Sequence, residues 1–200
     1  MPEPISSTEL SMSEAADLLD PPAERDESKA HVSHLVNEAI RIIGNGKAYD
    51  GEPTQWGWNI MALGRIVESV VRPIVQREAE RRGWRFTSQV VCEVDGIVGS
   101  LDGLLVSDAG VEAVVEVKSR HSNPSDPRDN WRYMAQVQAY CRMAFTQVAW
   151  MPILYLPRRG PPNAELHLHV IQFEVQELVE NWEMLRNIRG ERIHDHVGGP

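Results

Sequence analysis

The 200-residue chain contains 42% hydrophobic and 24% charged residues and carries a formal net charge of −9 at pH 7, which describes an ordinary globular protein with one hydrophobic core. Its two cysteines, Cys92 and Cys141, exclude a disulfide framework and a four-cysteine zinc or iron–sulfur site within the chain. A GxxxxGK[ST] phosphate loop is absent from the sequence, which argues against an ATP-driven motor.

The acidic residues are concentrated near the N-terminus. Residues 1–28 contain eight acidic residues and one basic residue, a net charge of −7, which leaves −2 for the other 172 residues. We therefore expect an acidic, mobile leader over 1–28, a single domain over 29–190 and a flexible tail over 191–200. The first residues lack the basic start and apolar stretch of a signal peptide, and no run of about 18 apolar residues occurs. These patterns predict a cytoplasmic protein without a membrane segment.

Apolar residues recur at helical spacing in the first part of the chain. They predict an amphipathic helix over Lys29–Ile43, which Gly44 ends. A loop over residues 45–57 follows. The next predicted helix is long, reaches about Arg82 and contains Pro73, which we expect to bend it.

Strand-like runs separated by turn residues fill the rest of the chain. The predicted strands are Gln89–Val94, Ile97–Val106, Glu112–Lys118, Gln147–Leu156 and Glu165–Phe173. The first three form a β-meander. Helices are predicted over about Arg128–Phe145 and Val175–Ile188. This order of elements predicts an α/β fold in which helices flank a central mixed β-sheet.

An acid and a base lie close together at the end of the third predicted strand. Side chains alternate along a strand, so Glu116 and Lys118 share one face while Val117 points into the other layer. The pattern acid-x-Lys is weak by itself, because Glu27-Ser28-Lys29 in the acidic leader fits it too. Residues on the neighbouring strand are needed to decide which of the two matches belongs to a functional site.

That neighbouring strand contributes a second acid. A hairpin closed over residues 107–111 would place Asp102 directly opposite Glu116 in antiparallel register. Two adjacent carboxylates repel each other and are costly to bury unless a cation joins them. Ligation by carboxylates, a main-chain carbonyl and waters suits Mg²⁺ or Mn²⁺ better than zinc. With Lys118 beside it to orient a water or to stabilise negative charge, this centre predicts hydrolysis of a phosphodiester.

The combination of Asp102 with Glu116-Val117-Lys118 resembles the core motif of the PD-(D/E)XK nuclease superfamily, with Leu101 in place of the proline of the founding signature. Two further segments resemble motifs of one branch, which includes RecB-like nucleases, CRISPR adaptation nucleases and phage lambda-type exonucleases. These segments are Gly64-Arg-Ile-Val-Glu68 and Gln136-Val-Gln-Ala-Tyr140. The resemblance spans roughly residues 64–140.

The resemblance implies a restriction-endonuclease-like core and a metal-dependent deoxyribonuclease, more specifically an exonuclease of recombination or repair. It implies Mg²⁺ or Mn²⁺ as the cofactor, DNA as the substrate, and a homo-oligomer or a recombination-protein partner. The implied catalytic residues are Asp102, Glu116, Lys118, Glu68, Gln136 and Tyr140. The implied metal ligands are Asp102, Glu116, Glu68 and the main chain of Val117.

Simpler interpretations compete with these roles. Asp102 could belong to a turn, Glu116 and Lys118 could form a solvent-facing pair, and Tyr140 could serve only in packing. Glu68 could be a surface acid paired with an arginine of its own helix, Arg65 or Arg72. The basic residues that follow the motif are a lead for phosphate contacts: Arg120, His121, Arg128 and Arg132.

Two other functions stay open at this point. A non-catalytic nucleic-acid-binding or assembly protein could keep the same fold, and the acidic net charge favours it because affinity for DNA comes largely from Lys and Arg. The intact set of two acids and a lysine argues against such a decayed site. An endonuclease of the same superfamily would share the centre and differ in its substrate.

Overall fold

Seven strands form one mixed sheet flanked by four helices in the computed structural model, which describes residues 28–44, 55–156 and 164–197. The strands are β1 (Ala30–His31), β2 (Arg85–Val94), β3 (Ile97–Ser107), β4 (Gly110–Val115), β5 (Lys118–Arg120), β6 (Val148–Tyr155) and β7 (Glu165–Gln172). The helices are α1 (Val32–Ile43), α2 (Gln55–Arg81), α3 (Trp131–Met143) and α4 (Val175–Val197), with a short 3₁₀ helix at Pro127–Asp129. The predicted leader, apart from Ser28, lies outside the described residues.

The sheet is organised around its two long strands, β3 and β6. β3 pairs with antiparallel β2 along one edge, and its other edge pairs first with parallel β1 at Ile97–Val98 and then with antiparallel β4 from Gly103. β6 pairs with antiparallel β7 along one edge, and its other edge pairs in parallel with β4 and then with β5. The strand β4 therefore joins the two halves. Beyond Val115, where β4 ends, the sheet opens between β3 and β5.

Helices cover both faces of the sheet. On one face, α2 buries an apolar stripe at helical spacing, formed by Val67, Val71, Val75 and Ala79. This stripe packs in one cluster with Leu105, Ala113, Val115, Val117 and Trp150. On the other face, buried residues of α1, α3 and α4 pack around sheet residues that include Leu101, Val114 and Ile153. The predicted sandwich of helices around a mixed sheet is thus confirmed.

Two predicted boundaries in the site region are wrong, and one predicted strand register holds only in part. Ala30–His31, predicted as the start of a helix, instead pairs with β3. The predicted continuous strand Glu112–Lys118 is interrupted at Glu116 and Val117, because the chain leaves β3 there and continues beside β6. The predicted register holds where Gly103 pairs with Val115, but a β-bulge after Leu105 changes the pairing of the next residue.

The helix boundaries differ in smaller ways. The α-helix predicted to start at about Arg128 instead starts at Trp131, because Pro127–Asp129 form a 3₁₀ helix. Asn130 caps α3 by accepting a hydrogen bond from the backbone N–H of Tyr133 (3.3 Å). α4 continues to Val197, so much of the predicted tail is helical. The left-handed conformation of Gly44 (φ +70°) ends α1 as expected.

Among the described helices, none combines the length and apolar character that crossing a membrane requires.

We expect Leu105→Ala to lower the free energy of unfolding by about 2–5 kcal/mol, because Leu105 is fully buried under α2 and its removal leaves a cavity. The matched control is Leu168→Ala on β7, where the same side chain is 42% exposed and its loss should cost well under half as much. Urea denaturation of both variants measures the difference. Equal losses of stability would show that the α2 face is not the packed core described above.

Candidate active site

A polar cavity of about 180 Å³ lies where β4 ends and the sheet opens. Its walls come from β1, α1, β3, the β4–β5 junction, β5, α2 and α3, so elements far apart in sequence meet at one point. The cavity is lined by His31, Val32, Ser33, Glu68, Val98, Ser100, Asp102, Glu116, Lys118, Gln136 and Tyr140. All six side chains that the sequence predicts for catalysis are therefore brought together.

Asp102 lies within β3 and not in a turn, so the turn interpretation is wrong. Asp102 immediately precedes Gly103 in the sequence. Gly103 and Val115 form the last residue pair between β3 and β4, so Asp102 lies where the sheet opens. There its Oδ2 accepts a hydrogen bond from the backbone N–H of Val117 (2.7 Å). The carboxylate thus takes the place of a strand partner and holds the β4–β5 junction against β3.

Glu116 is a buried carboxyl with only 3% of its surface exposed, which rules out the solvent-facing interpretation. Its backbone N–H donates to the carbonyl oxygen of Trp150 (3.0 Å), and its Oε1 accepts from Nζ of Lys118 (2.5 Å). Its Oε2 is also buried and has no hydrogen-bond partner among the described residues. Burial, followed by the nearby charge of Asp102, raises the pKa of Glu116 to about 8 despite the opposing effect of Lys118.

Lys118 lies between the acids and the helix α3. Besides Glu116, its Nζ contacts Oε1 of Gln136 at 3.2 Å and lies 5.5 Å from the ring centroid of Tyr133. Burial alone would lower the pKa of Lys118, but the charges of Glu116 and Asp102 outweigh it and raise that pKa to about 12. The lysine therefore keeps its positive charge at neutral pH.

Gln136 and Tyr140 lie four residues apart on one face of α3, as the helical spacing predicts. Nε2 of Gln136 donates to the hydroxyl oxygen of Tyr140 (2.8 Å), while the amide oxygen of Gln136 faces Lys118. Tyr140 is buried and belongs to the hydrophobic core, so it both packs and lines the cavity. A continuous chain of polar contacts thus runs from Glu116 through Lys118 and Gln136 to Tyr140.

Glu68 reaches the cavity from α2, on the opposite side from α3. Its Oε2 lies 3.6 Å from Nη2 of Arg72, one helical turn away, so the predicted pairing with an arginine and the predicted place in the site both occur. The negative charge of Glu68 adds a further, smaller increase to the pKa of Glu116. Three carboxylates therefore act on the same small volume.

The donor groups of the cavity suit a hard cation. The described ranges contain no group of three or more His, Cys, Asp and Glu side chains arranged to hold a metal ion by themselves. A hard ion such as Mg²⁺ does not need one, because it takes oxygen ligands from one or two carboxylates and retains several waters. The buried Oε2 of Glu116, which lacks a hydrogen bond in the described part of the chain, is the kind of oxygen that such an ion would satisfy.

The cavity also contains polar residues that the sequence analysis missed: His31, Ser33 and Ser100. The sequence could have indicated Ser100, because it lies two residues before Asp102 on the same strand and alternation places both on one face. No sequence pattern indicated that His31 and Ser33 would line the cavity. They reach the cavity only because Ala30–His31 pairs with β3, a long-range contact that helical periodicity conceals.

The fold resembles those of solved nucleases, although no family model matches the sequence and a search of curated proteins finds no match. The alkaline exonuclease LHK-Exo from Laribacter hongkongensis has a TM-score of 0.50, and its complex with dAMP has one of 0.51, each at 15% identity over 82% of this chain and 87% of that one. The crystal structure of SSO0001 has a TM-score of 0.54 at 15% identity, covering 88% of this chain and 84% of that one. At such identity the likeness establishes a shared fold.

The raised pKa of Glu116 makes stability depend on pH in a defined direction. The folded protein binds this proton more tightly than an unfolded chain, whose glutamic acid has its ordinary value of 4.5, so Glu116 favours folding at low pH and loses that contribution as pH rises towards 8. Glu116→Gln removes the ionisable group. We expect the variant to gain stability relative to the wild type between about pH 5 and pH 8, by a few kcal/mol at most.

Urea unfolding of both proteins in EDTA across this pH range measures the difference. Glu183→Gln, a change at an exposed carboxyl on α4, controls for the loss of one negative charge. A difference between the wild type and Glu116→Gln that stays constant from pH 5 to pH 8 would contradict the buried, proton-binding state of Glu116.

Proposed function

We propose that this protein is a Mg²⁺- or Mn²⁺-dependent deoxyribonuclease that hydrolyses phosphodiester bonds, and that it acts as an exonuclease in recombination or repair. One observation carries the proposal. Glu116 is buried with one oxygen on Lys118 and the other without a hydrogen bond among the described residues, in a cavity that it shares with Asp102 and Glu68. A purely structural ion pair would not need two further acids that raise its pKa.

The groups that would hold the ion are the carboxylates of Asp102 and Glu116 and the main-chain carbonyl of Val117, with Glu68 contributing directly or through a water molecule. When bound, such an ion lowers the pKa of a water molecule and offsets the negative charge that develops on a phosphate. Glu116 ionises to serve as a ligand, and its pKa of about 8 means that protons compete with the metal below that pH. Asp102 stays in place because the backbone N–H of Val117 holds it.

Lys118 acts as a fixed positive charge in this scheme. Its raised pKa keeps it protonated at neutral pH, so it donates hydrogen bonds to a water or to a phosphate oxygen and does not serve as a general base. Gln136 restricts the ammonium group on the side away from Glu116, and Tyr140 fixes the orientation of the Gln136 amide. These contacts orient Lys118 before a substrate arrives.

The choice of an exonuclease has separate support. LHK-Exo is an alkaline exonuclease with a similar fold, and one of its structures contains dAMP. The two motifs on α2 and α3 also resemble the branch that includes phage lambda-type exonucleases. The main competitor is an endonuclease, which would use the same cavity on an internal bond.

We expect Lys118→Ala and Asp102→Asn each to lower kcat for hydrolysis of linear DNA by about 10²-fold or more, because each removes a charge that acts on the reacting phosphate or on the ion. The matched control is Lys29→Ala, which removes an exposed lysine paired with Glu93 and should leave the rate within about twofold. Release of nucleotides is followed with Mg²⁺, with Mn²⁺ and with EDTA. Full activity of Lys118→Ala, or activity in EDTA, would overturn the proposed chemistry.

The position of cleavage is tested with two forms of one plasmid. An exonuclease needs an end, so we expect the linear form to be degraded to nucleotides and the covalently closed circle to persist. Asp102→Asn, inactive on both forms, controls for contaminating nucleases. Nicking or linearisation of the circle at a comparable rate would assign the protein as an endonuclease and leave the metal-dependent chemistry intact.

A further inference from the structure

The four basic residues that follow the motif have different environments, and one of them stands out. The side chains of His121 and Arg128 are exposed. Nη2 of Arg132 donates to Oδ1 of Asn37 on α1 (3.0 Å), so its guanidinium links two helices. Arg120, at the end of β5, is partly buried and lies outside the catalytic cavity yet next to it, two residues beyond Lys118.

Arg120 is held in a defined position by neutral groups. Its Nη1 donates to Oγ of Ser125 (2.9 Å), and its guanidinium carbon lies 5.9 Å from the ring centroid of Tyr133. The Ser125 segment is itself anchored, because the fully buried Tyr155 donates its hydroxyl hydrogen to the Ser125 carbonyl oxygen (2.8 Å). The guanidinium is therefore restricted in orientation before any ligand binds.

No described carboxylate neutralises the positive charge of Arg120. Within the described ranges no carboxylate oxygen lies within 4 Å of its guanidinium, whereas the neighbouring Lys118 is paired with Glu116. The acid closest along the loop, Asp126, instead accepts a hydrogen bond from the backbone N–H of Arg128. A restricted, partly buried guanidinium without a counter-charge favours an external anion, and its planar set of N–H donors fits the oxygens of a phosphate.

Geometry connects this anion-binding group to the catalytic cavity. Residues two apart on a strand share a face and lie roughly 6.6 Å apart, so Arg120 projects beside Lys118 in the direction that leads out of the cavity. The ring of Tyr133 lies against both cations, at 5.5 Å from Lys118 and 5.9 Å from Arg120. A nucleic-acid strand with one phosphate at Lys118 would place the next phosphate near Arg120.

We propose that Arg120 binds the phosphodiester adjacent to the scissile one in a nucleic-acid strand, and that Tyr133 is a positioning residue for Arg120 and Lys118. This proposal rests on the proposed nuclease function. The ligand class is a phosphodiester monoanion of the substrate strand. Lys118 acts where the bond breaks, and Arg120 holds the strand in register one linkage away.

Binding is measured first, with fluorescent oligonucleotides and Ca²⁺ in place of Mg²⁺ so that the result does not depend on cleavage. Loss of a charge-assisted contact worth about 1.5–3 kcal/mol should raise Kd roughly 10- to 100-fold in Arg120→Ala. The slope of log Kd against log salt concentration should fall by about 1, as expected when one phosphate contact is lost. Arg128→Ala, which removes an exposed arginine from the same loop, is the matched control and should change neither quantity appreciably.

A chemically modified strand then locates the phosphate. A methylphosphonate linkage carries no charge, so placing it at successive positions should weaken binding of the wild type at the position next to the scissile bond. Arg120→Ala should be insensitive to the modification at that same position. In steady-state cleavage assays its effect should fall mainly on KM, in contrast to that of Lys118→Ala. Tyr133→Phe keeps the ring and should bind much as the wild type does, whereas Tyr133→Leu should weaken binding.

The possible failures can be told apart. Unchanged Kd and salt slope in a correctly folded Arg120→Ala protein, or an equal loss in Arg128→Ala, would overturn the assignment of Arg120 while leaving the nuclease proposal intact. A loss of affinity on methylphosphonate substitution next to the scissile bond that is the same in Arg120→Ala as in the wild type would also overturn it. A wild-type protein that binds the oligonucleotide but never cleaves it would refute the nuclease chemistry alone. A wild-type protein that binds no nucleic acid would overturn both.

Discussion

The burial of the Glu116 carboxyl is the constraint on which the rest of the site depends. The carboxyl is 3% exposed and lies near Asp102 and Glu68, so loss of hydration and repulsion between like charges destabilise its ionised form and raise its pKa. Lys118 offsets only part of this cost, because it contacts one of the two oxygens. Removing one partner of a buried ion pair leaves an uncompensated charge and lowers the stability of the fold. The cavity is therefore stable only with its full set of charges or with a proton on Glu116. The same imbalance supports the proposal that the site binds a cation.

This arrangement also changes the hydrogen bonding of the sheet. The β3–β4 ladder stops after Gly103 and Val115, and the next backbone N–H in reach of β3, that of Val117, is taken by the carboxylate of Asp102. The segment beyond it pairs with β6 and carries Lys118 towards α3. Both faces of the sheet supply the cavity, with Glu68 from α2 and Gln136 from α3, so packing of both helices fixes the distance between the acids and the lysine. Core stability and site geometry are thus coupled.

Local patterns were enough to predict the order of the main elements, the mixed sheet and the grouping of Asp102, Glu116 and Lys118, whereas the site roles of Glu68, Gln136 and Tyr140 were implied by the resemblance to a nuclease superfamily. These predictions rest on short-range regularities: helical spacing places Gln136 with Tyr140, and alternation in a hairpin places Asp102 near Glu116. The two errors that matter most for the site concern contacts between distant segments. Periodicity could not show that Ala30–His31 pairs with Ile97–Val98, since that pairing depends on how α1 docks. Likewise, nothing local distinguishes a continuous Glu112–Lys118 strand from one that separates from β3 after Val115 while it stays beside β6, because the cause is the long-range position of β6.

The net charge of −9 can be reconciled with a nucleic-acid substrate if cations are placed at the site and not spread over the surface. Affinity from counterion release grows with the number of phosphates neutralised, so a chain with an excess of acidic residues is better suited to a small number of oriented contacts than to coating DNA. In the proposed function Lys118 and Arg120 would meet this requirement, because the ring of Tyr133 lies near both and β5 sets their spacing. For the proposed nuclease, an overall negative charge would weaken non-specific binding elsewhere on the molecule and leave the short segment around the cavity as the favourable place for a phosphodiester.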